Sequence, residues 1–400
     1  MSRILFAWEL GTGYGHIARF LPVAIELREA GHEVIFALKD LLYAEEILGP
    51  HGFTFQQAPV WQHQPHDLPE PASFAEILFK FGYLNPVNLL AMVKAWNQLY
   101  MAVKPDLLII DYGPTALIAS KDLGIPRAMI GTGFLIPPRE TPIPGIQPWK
   151  NIPAQRLVNS EARVLQAIND VLSRLGQPAL EVLAELFDVD EKFLTTFREL
   201  DHYQDRTEAH YWGPQFSADE GVSCSWPPGN SKKIFAYLKP TCKHFTEIIR
   251  QLALSPYRSL IHAPGLSDKK IEQLQSDNII FSINPVNIRE ASEVADMAIC
   301  HAGFGTVSAM LLGGCHVLLL PLQLEQAITA NNIEKLGAAI VIYGNEEKPD
   351  FSNIITELAT RPELHKKAAD FSVKHRDYDK NRQIDKMVAR CNELITNNKL

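Results

Sequence analysis

The chain has no apolar run approaching the ~18 residues that span a bilayer, no internal repeat and no low-complexity segment. Its five cysteines (Cys224, Cys242, Cys300, Cys315, Cys391) are few, scattered and odd in number. None forms a C-x-x-C pair or a Cys/His ligand spacing, so neither a disulfide framework nor a zinc site is indicated. A basic surplus is missing too. Lys and Arg number 38 against 46 Asp and Glu, a formal charge of −8, which is a poor match for a global nucleic-acid or anionic-membrane binder. An anionic ligand must then be held locally, by backbone amides or a few placed side chains. The start, Met1-Ser2-Arg3-Ile4-Leu5-Phe6, lacks the apolar region of a secretion signal, and a soluble cytoplasmic protein is the expectation. What the sequence does have is material for a core. Hydrophobic residues make up 46% and charged residues 21%, which sets aside disorder. A length of 400 residues predicts two domains or three.

The order of apolar runs predicts an α/β fold. Ile4–Trp8 reads as a strand. A glycine-rich turn and a helix bearing Ile17, Phe20, Leu21, Ala24 and Leu27 follow, then a strand at Val34–Ala37: a βαβ unit. Leu107–Ile110 is short and wholly apolar, as in a strand buried on both faces. Residues 137–160 hold six prolines and read as a surface loop; 161–186 read as helix, and Phe193–Phe197 as a closing strand. A polar stretch rich in Pro, Gly and Ser then marks a linker, 217–233. The alternation restarts with strands at Ile234–Leu238, Ser259–His262, Ile279–Phe281, Met297–Cys300 and Val317–Leu320. The expected organisation is a Rossmann-like domain over 1–216, a linker over 217–233 and a second Rossmann-like domain over 234–375. A charged amphipathic helix over 376–400 is expected to pack back on the first domain. Two such domains would face one another across a cleft at the C-terminal ends of their strands.

Four segments at strand ends carry the chemistry. Gly11-Thr12-Gly13-Tyr14-Gly15-His16 follows the first strand; its glycines are misregistered against the dinucleotide pattern G-x-G-x-x-G. His16, at the helix start, can accept a proton from a bound hydroxyl or simply cap the helix. Asp111, just after Ile110, suits an orienting carboxylate or a turn before Gly113-Pro114. His301-Ala302-Gly303-Phe304-Gly305-Thr306-Val307-Ser308 places small residues at a helix start, where amide N–H groups and the helix dipole suit a diphosphate. Thr306 and Ser308 add hydroxyls and His301 a ring donor; a plain strand–helix turn is the alternative. Glu325 and Gln326, after the next strand, offer groups that bind sugar hydroxyls, or form an exposed loop. Asp188-Val189-Asp190 and Asp377-Tyr378-Asp379 have the form of a metal-binding Asp-x-Asp but read as solvated surface, so no metal is expected.

These segments, with Pro105-Asp106-Leu107-Leu108-Ile109-Ile110-Asp111 before Leu123-Gly124-Ile125-Pro126 and with Trp212-Gly213-Pro214, resemble the GT-B glycosyltransferases. The motifs look nearest to family 1, the nucleoside-diphosphate-sugar glycosyltransferases, with the peptidoglycan N-acetylglucosaminyltransferase a more distant relative. That resemblance covers both domains. It implies inverting, metal-independent transfer of a sugar from a nucleoside-diphosphate donor, UDP-linked in many members, to a hydroxyl acceptor, with no cofactor. It makes His16 the general base and Asp111 its orienting carboxylate. His301, Gly303, Gly305 and Thr306 become the diphosphate turn, and Glu325 and Gln326 the pair that holds the donor sugar. Two places depart from the family. Ala309 stands where a glutamate usually grips the ribose, and Ile283-Asn284-Pro285-Val286 stands where Trp-x-Pro-Gln usually stacks on the base.

On the acceptor side, Phe74, Ile77, Leu78 and Phe81 share one helical face, and Leu89, Leu90, Val93 and Trp96 another. Such stripes are core, or the wall of a pocket for an apolar acceptor, or a contact with a bilayer. His51, His63 and His66 in the preceding loop have no ligand spacing. Beside the transferase reading stand a non-catalytic GT-B-like binding or scaffolding protein, favoured by Ala309 and the missing Trp, and a sugar-nucleotide 2-epimerase of the same architecture.

Overall fold

The computed structural model describes residues 1–13, 15–63, 65, 67–215, 221–344 and 348–398. Strand β1 (Arg3–Trp8) forms where Ile4 to Ala7 are wholly buried. It pairs in parallel with β2 (Glu33–Leu38) on one side and β4 (Leu107–Asp111) on the other. β3 (Thr54–Gln57), β5 (Arg127–Gly131) and β6 (Glu191–Leu194) complete a six-stranded sheet of order β3-β2-β1-β4-β5-β6. β7 (Lys233–Tyr237), β8 (Arg258–His262), β9 (Ile279–Ser282), β10 (Met297–Cys300), β11 (His316–Leu319) and β12 (Ala339–Val341) form a second parallel sheet, ordered β12-β11-β10-β7-β8-β9. Counted from its own first strand, each sheet has the doubly wound order 3-2-1-4-5-6, the expected α/β class with two Rossmann-like domains. The order reverses between β1 and β4, and again between β7 and β10. In sheets of this kind ligands bind outside the carboxyl ends of the strands at those reversals.

Parallel neighbours require crossovers, and helices supply them. In the first sheet's portion these are α1 (Gly15–Glu29), α2 (Ala44–Leu48), α3 (Phe74–Leu78), α4 (Pro86–Val103), α5 (Pro114–Ser120) and α6 (Ala154–Arg174). In the second they are α7 (Phe245–Leu254), α8 (Asp268–Leu274), α9 (Ile288–Val294), α10 (Phe304–Leu312), α11 (Leu324–Leu336), α12 (Phe351–Thr360) and α13 (Pro362–Lys374); α14 (Lys380–Asn397) ends the chain. Their ends follow local chemistry. Asn85 caps α4 by accepting the N–H groups of Val87 and Asn88, with Pro86 as first residue. α6 ends before Gly176, whose φ of 70° is left-handed, so the helix expected over 161–186 begins and stops earlier.

The chain divides into two compact units, Met1–Phe216 with Asp379–Leu400, and Ser217–Tyr378. The return of α14 is a burial effect. Its stripe of Ile384, Met387, Cys391, Leu394 and Ile395 joins the core of Phe6, Phe20, Leu27 and Phe36. Of the expected linker, 217–220 lie outside the described residues. Beyond them Val222 bonds in both directions with the 285–287 segment, which fastens this stretch to the second unit. The aromatic and apolar stripes resolve as core: Phe74, Leu78, Leu89, Val93 and Trp96 are at most 1% exposed. Phe81 and Leu90, from the same stripes, are partly exposed. Among the described residues no helix is long and apolar enough to cross a membrane.

Candidate functional site

At the first reversal β1 and β4 lie side by side, with Trp8 paired to Asp111. Asp111 is completely buried. α1 begins beside it, and His16 Nδ1 lies 2.9 Å from Asp111 Oδ2. A carboxylate only accepts, so the proton of a neutral imidazole sits on Nδ1 and the lone pair on Nε2. The Trp8 indole stacks under the ring at 4.8 Å and 16°. Nε2 is turned toward Gly11: a Cβ there would come within 2.5 Å of it. Gly11 also has φ +83°, a conformation side-chain-bearing residues rarely adopt. Tyr112 has φ 46°, and its carbonyl accepts the Leu10 N–H at 2.9 Å, which ties together the loops after both strands. Of the glycine-rich motif, Tyr14 lies outside the described residues.

Three groups here escaped the sequence reading. Arg19 Nη1 donates to the same Asp111 Oδ2 at 3.1 Å; it follows His16 by three residues, on the same helix face. Glu9 Oε2 accepts the N–H groups of Thr115 at 2.8 Å and Ala116 at 3.1 Å, at the start of α5. Burial pushes the Glu9 carboxyl up to about 7, against the opposing hydrogen bonds from Thr115 and Ala116 and the charge of Lys39. Lys39 Nζ donates to the Gly11 carbonyl. Burial holds its ammonium below the usual lysine range, with Asp40 and Glu9 acting the other way.

The second reversal is built differently. Tyr237 pairs with Cys300, and His301 follows. Its Nε2 accepts the Lys239 N–H at 2.8 Å, and its Nδ1 lies 2.9 Å from the Leu320 carbonyl. Both ring nitrogens are thus taken by backbone, and the expected ring donor for a ligand is absent. His301 instead clasps the loops after β7 and β11 to the end of β10. Burial lowers its affinity for a proton, opposed by the bond to Leu320 and assisted by the Lys239 charge. The next residue, Ala302, is buried in a left-handed conformation of φ 57°. Gly303 is the N-cap of α10, and no side chain caps that helix. The first backbone bond back is Val307 N–H to the Gly303 carbonyl, so the amides of Phe304, Gly305 and Thr306 precede the ladder. Nothing lies within 4 Å of a Cβ built on Gly303. The protein's own packing therefore does not demand glycine there, and the space stays open above the helix start. Ser308 is fully buried with its hydroxyl unpartnered, so it is no ligand donor. Ala309 is buried as well.

Glu325 and Gln326 lie in the first turn of α11, after β11, both partly exposed. The Gln326 side-chain carbonyl accepts the Leu322 N–H at 2.8 Å. Ile283 is 58% exposed where an aromatic was the family's choice, and Val286 is buried in the bridge to Val222. The two Asp-x-Asp stretches have local tasks. Asp188 pairs with Arg139, Asp190 accepts the Arg127 N–H at 2.8 Å, and Asp379 caps α14. Among the described residues no group of three His, Cys, Asp or Glu side chains could hold a metal ion; His66 lies outside them.

No curated protein matches the chain in sequence. Residues 246–383 match the model of the glycosyltransferase family 28 C-terminal domain. The motifs resemble family 1; the domain model that matches is that of family 28. Among solved structures, the calicheamicin glycosyltransferase CalG4 is similar at 16% identity, over 99% of this chain and 98% of that chain, with a TM-score of 0.73. The glycosyltransferase VinC, solved in complex with dTDP, is similar at 15% identity over 99% and 100%, TM-score 0.63. The spinosyn rhamnosyltransferase SpnG, complexed with spinosyn aglycone, is similar at 15% identity over 96% and 99%, TM-score 0.66. The two-domain fold is that of GT-B glycosyltransferases, and the glycosyltransferase domain match falls mostly within the second unit.

Proposed function

We propose that the protein is an inverting glycosyltransferase that moves a sugar from a nucleoside diphosphate to a hydroxyl of a small or lipophilic acceptor. The observation that carries this reading is the buried His16–Asp111 pair at 2.9 Å, with the basic Nε2 turned toward Gly11. A histidine so oriented is equipped to take a proton in the transition state. A scaffold has no use for a base held in one tautomer. His16 Nε2 removes the acceptor's proton as its oxygen bonds to the anomeric carbon. The bond from that carbon to the diphosphate oxygen breaks on the opposite face. Asp111 stabilises the imidazolium formed. The leaving diphosphate carries its new charge to the start of α10, where the amides of Phe304 to Thr306, the Thr306 hydroxyl and the helix dipole meet it. No metal is required in this scheme. His301 supports the turn through Leu320 and Lys239, while Glu325 and Gln326 hold sugar hydroxyls.

The glycosyltransferase match over 246–383 supports the donor half of this reading. The dTDP bound by VinC and the aglycone bound by SpnG suggest the classes of donor and acceptor. The buried Ala309, which offers no carboxylate to a ribose, favours the non-catalytic alternative. A thermal-shift screen with UDP, dTDP, GDP and their sugars separates the two. A ligand at ~100 times its Kd stabilises the fold by about 2.7 kcal/mol, so one base should stand out. No shift with any of them at millimolar concentration would sink the donor site and leave the scaffold.

A further inference from the structure

Arg19 is a buried guanidinium, about 10% exposed, and among the described residues Asp111 is its one acceptor. Three observations tie it to the base rather than to packing alone. It converges with His16 on a single oxygen, Asp111 Oδ2, while Oδ1 is buried with no partner. It stands one helical turn behind His16, so one helix segment carries both donors. The residue it meets is the carboxylate that orients the imidazole. A fully buried carboxylate is costly unless it is paired, and Arg19 brings a permanent positive charge to the oxygen that His16 shares.

Resting on the transferase reading, we propose that Arg19 is a positioning residue for the His16 base. It keeps Asp111 ionised and aimed at Nδ1, and its charge weakens the carboxylate's hold on the proton that His16 must take up and release. The other charged groups on neighbouring elements have partners of their own. Glu9 is bound at the start of α5, and Lys39 to the Gly11 carbonyl. Arg127 on β5 bonds to the Asp188 carbonyl, and Arg390 on α14 pairs with Glu191. Of these groups, Arg19 is the one that bonds directly to Asp111.

The test needs no substrate, so it is independent of whether transfer is found. In full-length protein labelled at histidine Cε1, the His16 resonance is identified by its loss in His16→Gln, and its chemical shift is followed against pH. Removing a positive charge this close favours the imidazolium. The titration midpoint should rise by about one pH unit in Arg19→Met, and likewise in Arg19→Gln, which is neutral yet retains a donor for Asp111. It should return to the wild-type position in Arg19→Lys. An unchanged midpoint in the neutral variants, or an equal shift in Arg19→Lys, would overturn the proposal and leave Arg19 as a tie between α1 and β4. If the midpoint moves as expected and no nucleotide sugar is ever used, the transferase reading fails while the role of Arg19 stands.

Discussion

The two strand-order reversals share one topology and differ in every chemical respect. At the first, ionisable side chains crowd the strand ends: Glu9, His16, Arg19, Lys39 and Asp111, with His16 and Arg19 on one carboxylate oxygen. At the second, both ring nitrogens of His301 are taken by backbone, and what is offered is a helix start with no side-chain cap over open space. Under the proposed transferase function the contrast is a division of labour. Moving a proton requires groups whose charge can change, and these must be oriented and balanced. Holding a diphosphate requires donors whose charge does not change, and backbone amides meet that need at any pH. Glycine has opposite meanings at the two places. Gly11 is demanded by the protein, since φ +83° and the nearby Nε2 leave no room for a side chain. Gly303 is demanded by nothing in the chain.

The sharpest break in this comparison is a rate. His16→Ala should lower transfer by about 10²- to 10⁴-fold, measured as product formed from the donor that the nucleotide screen selects. Wild-type turnover in that variant removes His16 from the chemistry. Gly11→Ala should follow it, losing activity and melting temperature together, because the methyl displaces the imidazole.

A second effect concerns stability. The Glu9 carboxyl is raised from 4.5 to about 7 in the folded protein. The folded state therefore holds its proton more tightly than the unfolded chain does. The associated stability is complete below pH ~4.5 and is lost as pH rises from there to about 7, amounting to roughly 3 kcal/mol. Glu9→Gln, which retains a carbonyl for the Thr115 and Ala116 amides, should then melt progressively higher than wild type between pH 5 and pH 8. A difference between the two that does not vary with pH would show that Glu9 is not buried as a protonated acid.

Much of this was legible in the sequence. Strands buried on both faces announce themselves as unbroken apolar runs, and β1, β4, β7, β10 and β11 were read close to their observed bounds. Two of the four edge strands, β3 and β12, were not, and β6 begins two residues before the strand expected at Phe193–Phe197, while the edge strand β9 was read at Ile279–Phe281. β3 is Thr-Phe-Gln-Gln and largely exposed, and β12 is three residues long; an edge strand has a free side that no apolar run need mark. His16 and Asp111 could be placed because strand ends converge at a reversal. Arg19 could not, because the α1 pattern was read through its apolar positions, Ile17, Phe20 and Leu21, and an arginine among them carries no local mark of a buried partner 92 residues away. The backbone partners of His301 were equally hidden. Its ring is saturated only because the loops after β7 and β11, 62 and 19 residues away, meet at the end of β10, and no local pattern records that meeting.

The most direct test of the division of labour is calorimetric titration of the selected nucleoside diphosphate into wild type, His16→Ala and Gly303→Val. The account predicts wild-type affinity for His16→Ala. For Gly303→Val it predicts affinity weakened by at least about tenfold, ~1.4 kcal/mol, at an unchanged melting temperature. Undiminished binding by Gly303→Val, or binding lost in His16→Ala alone, would contradict it.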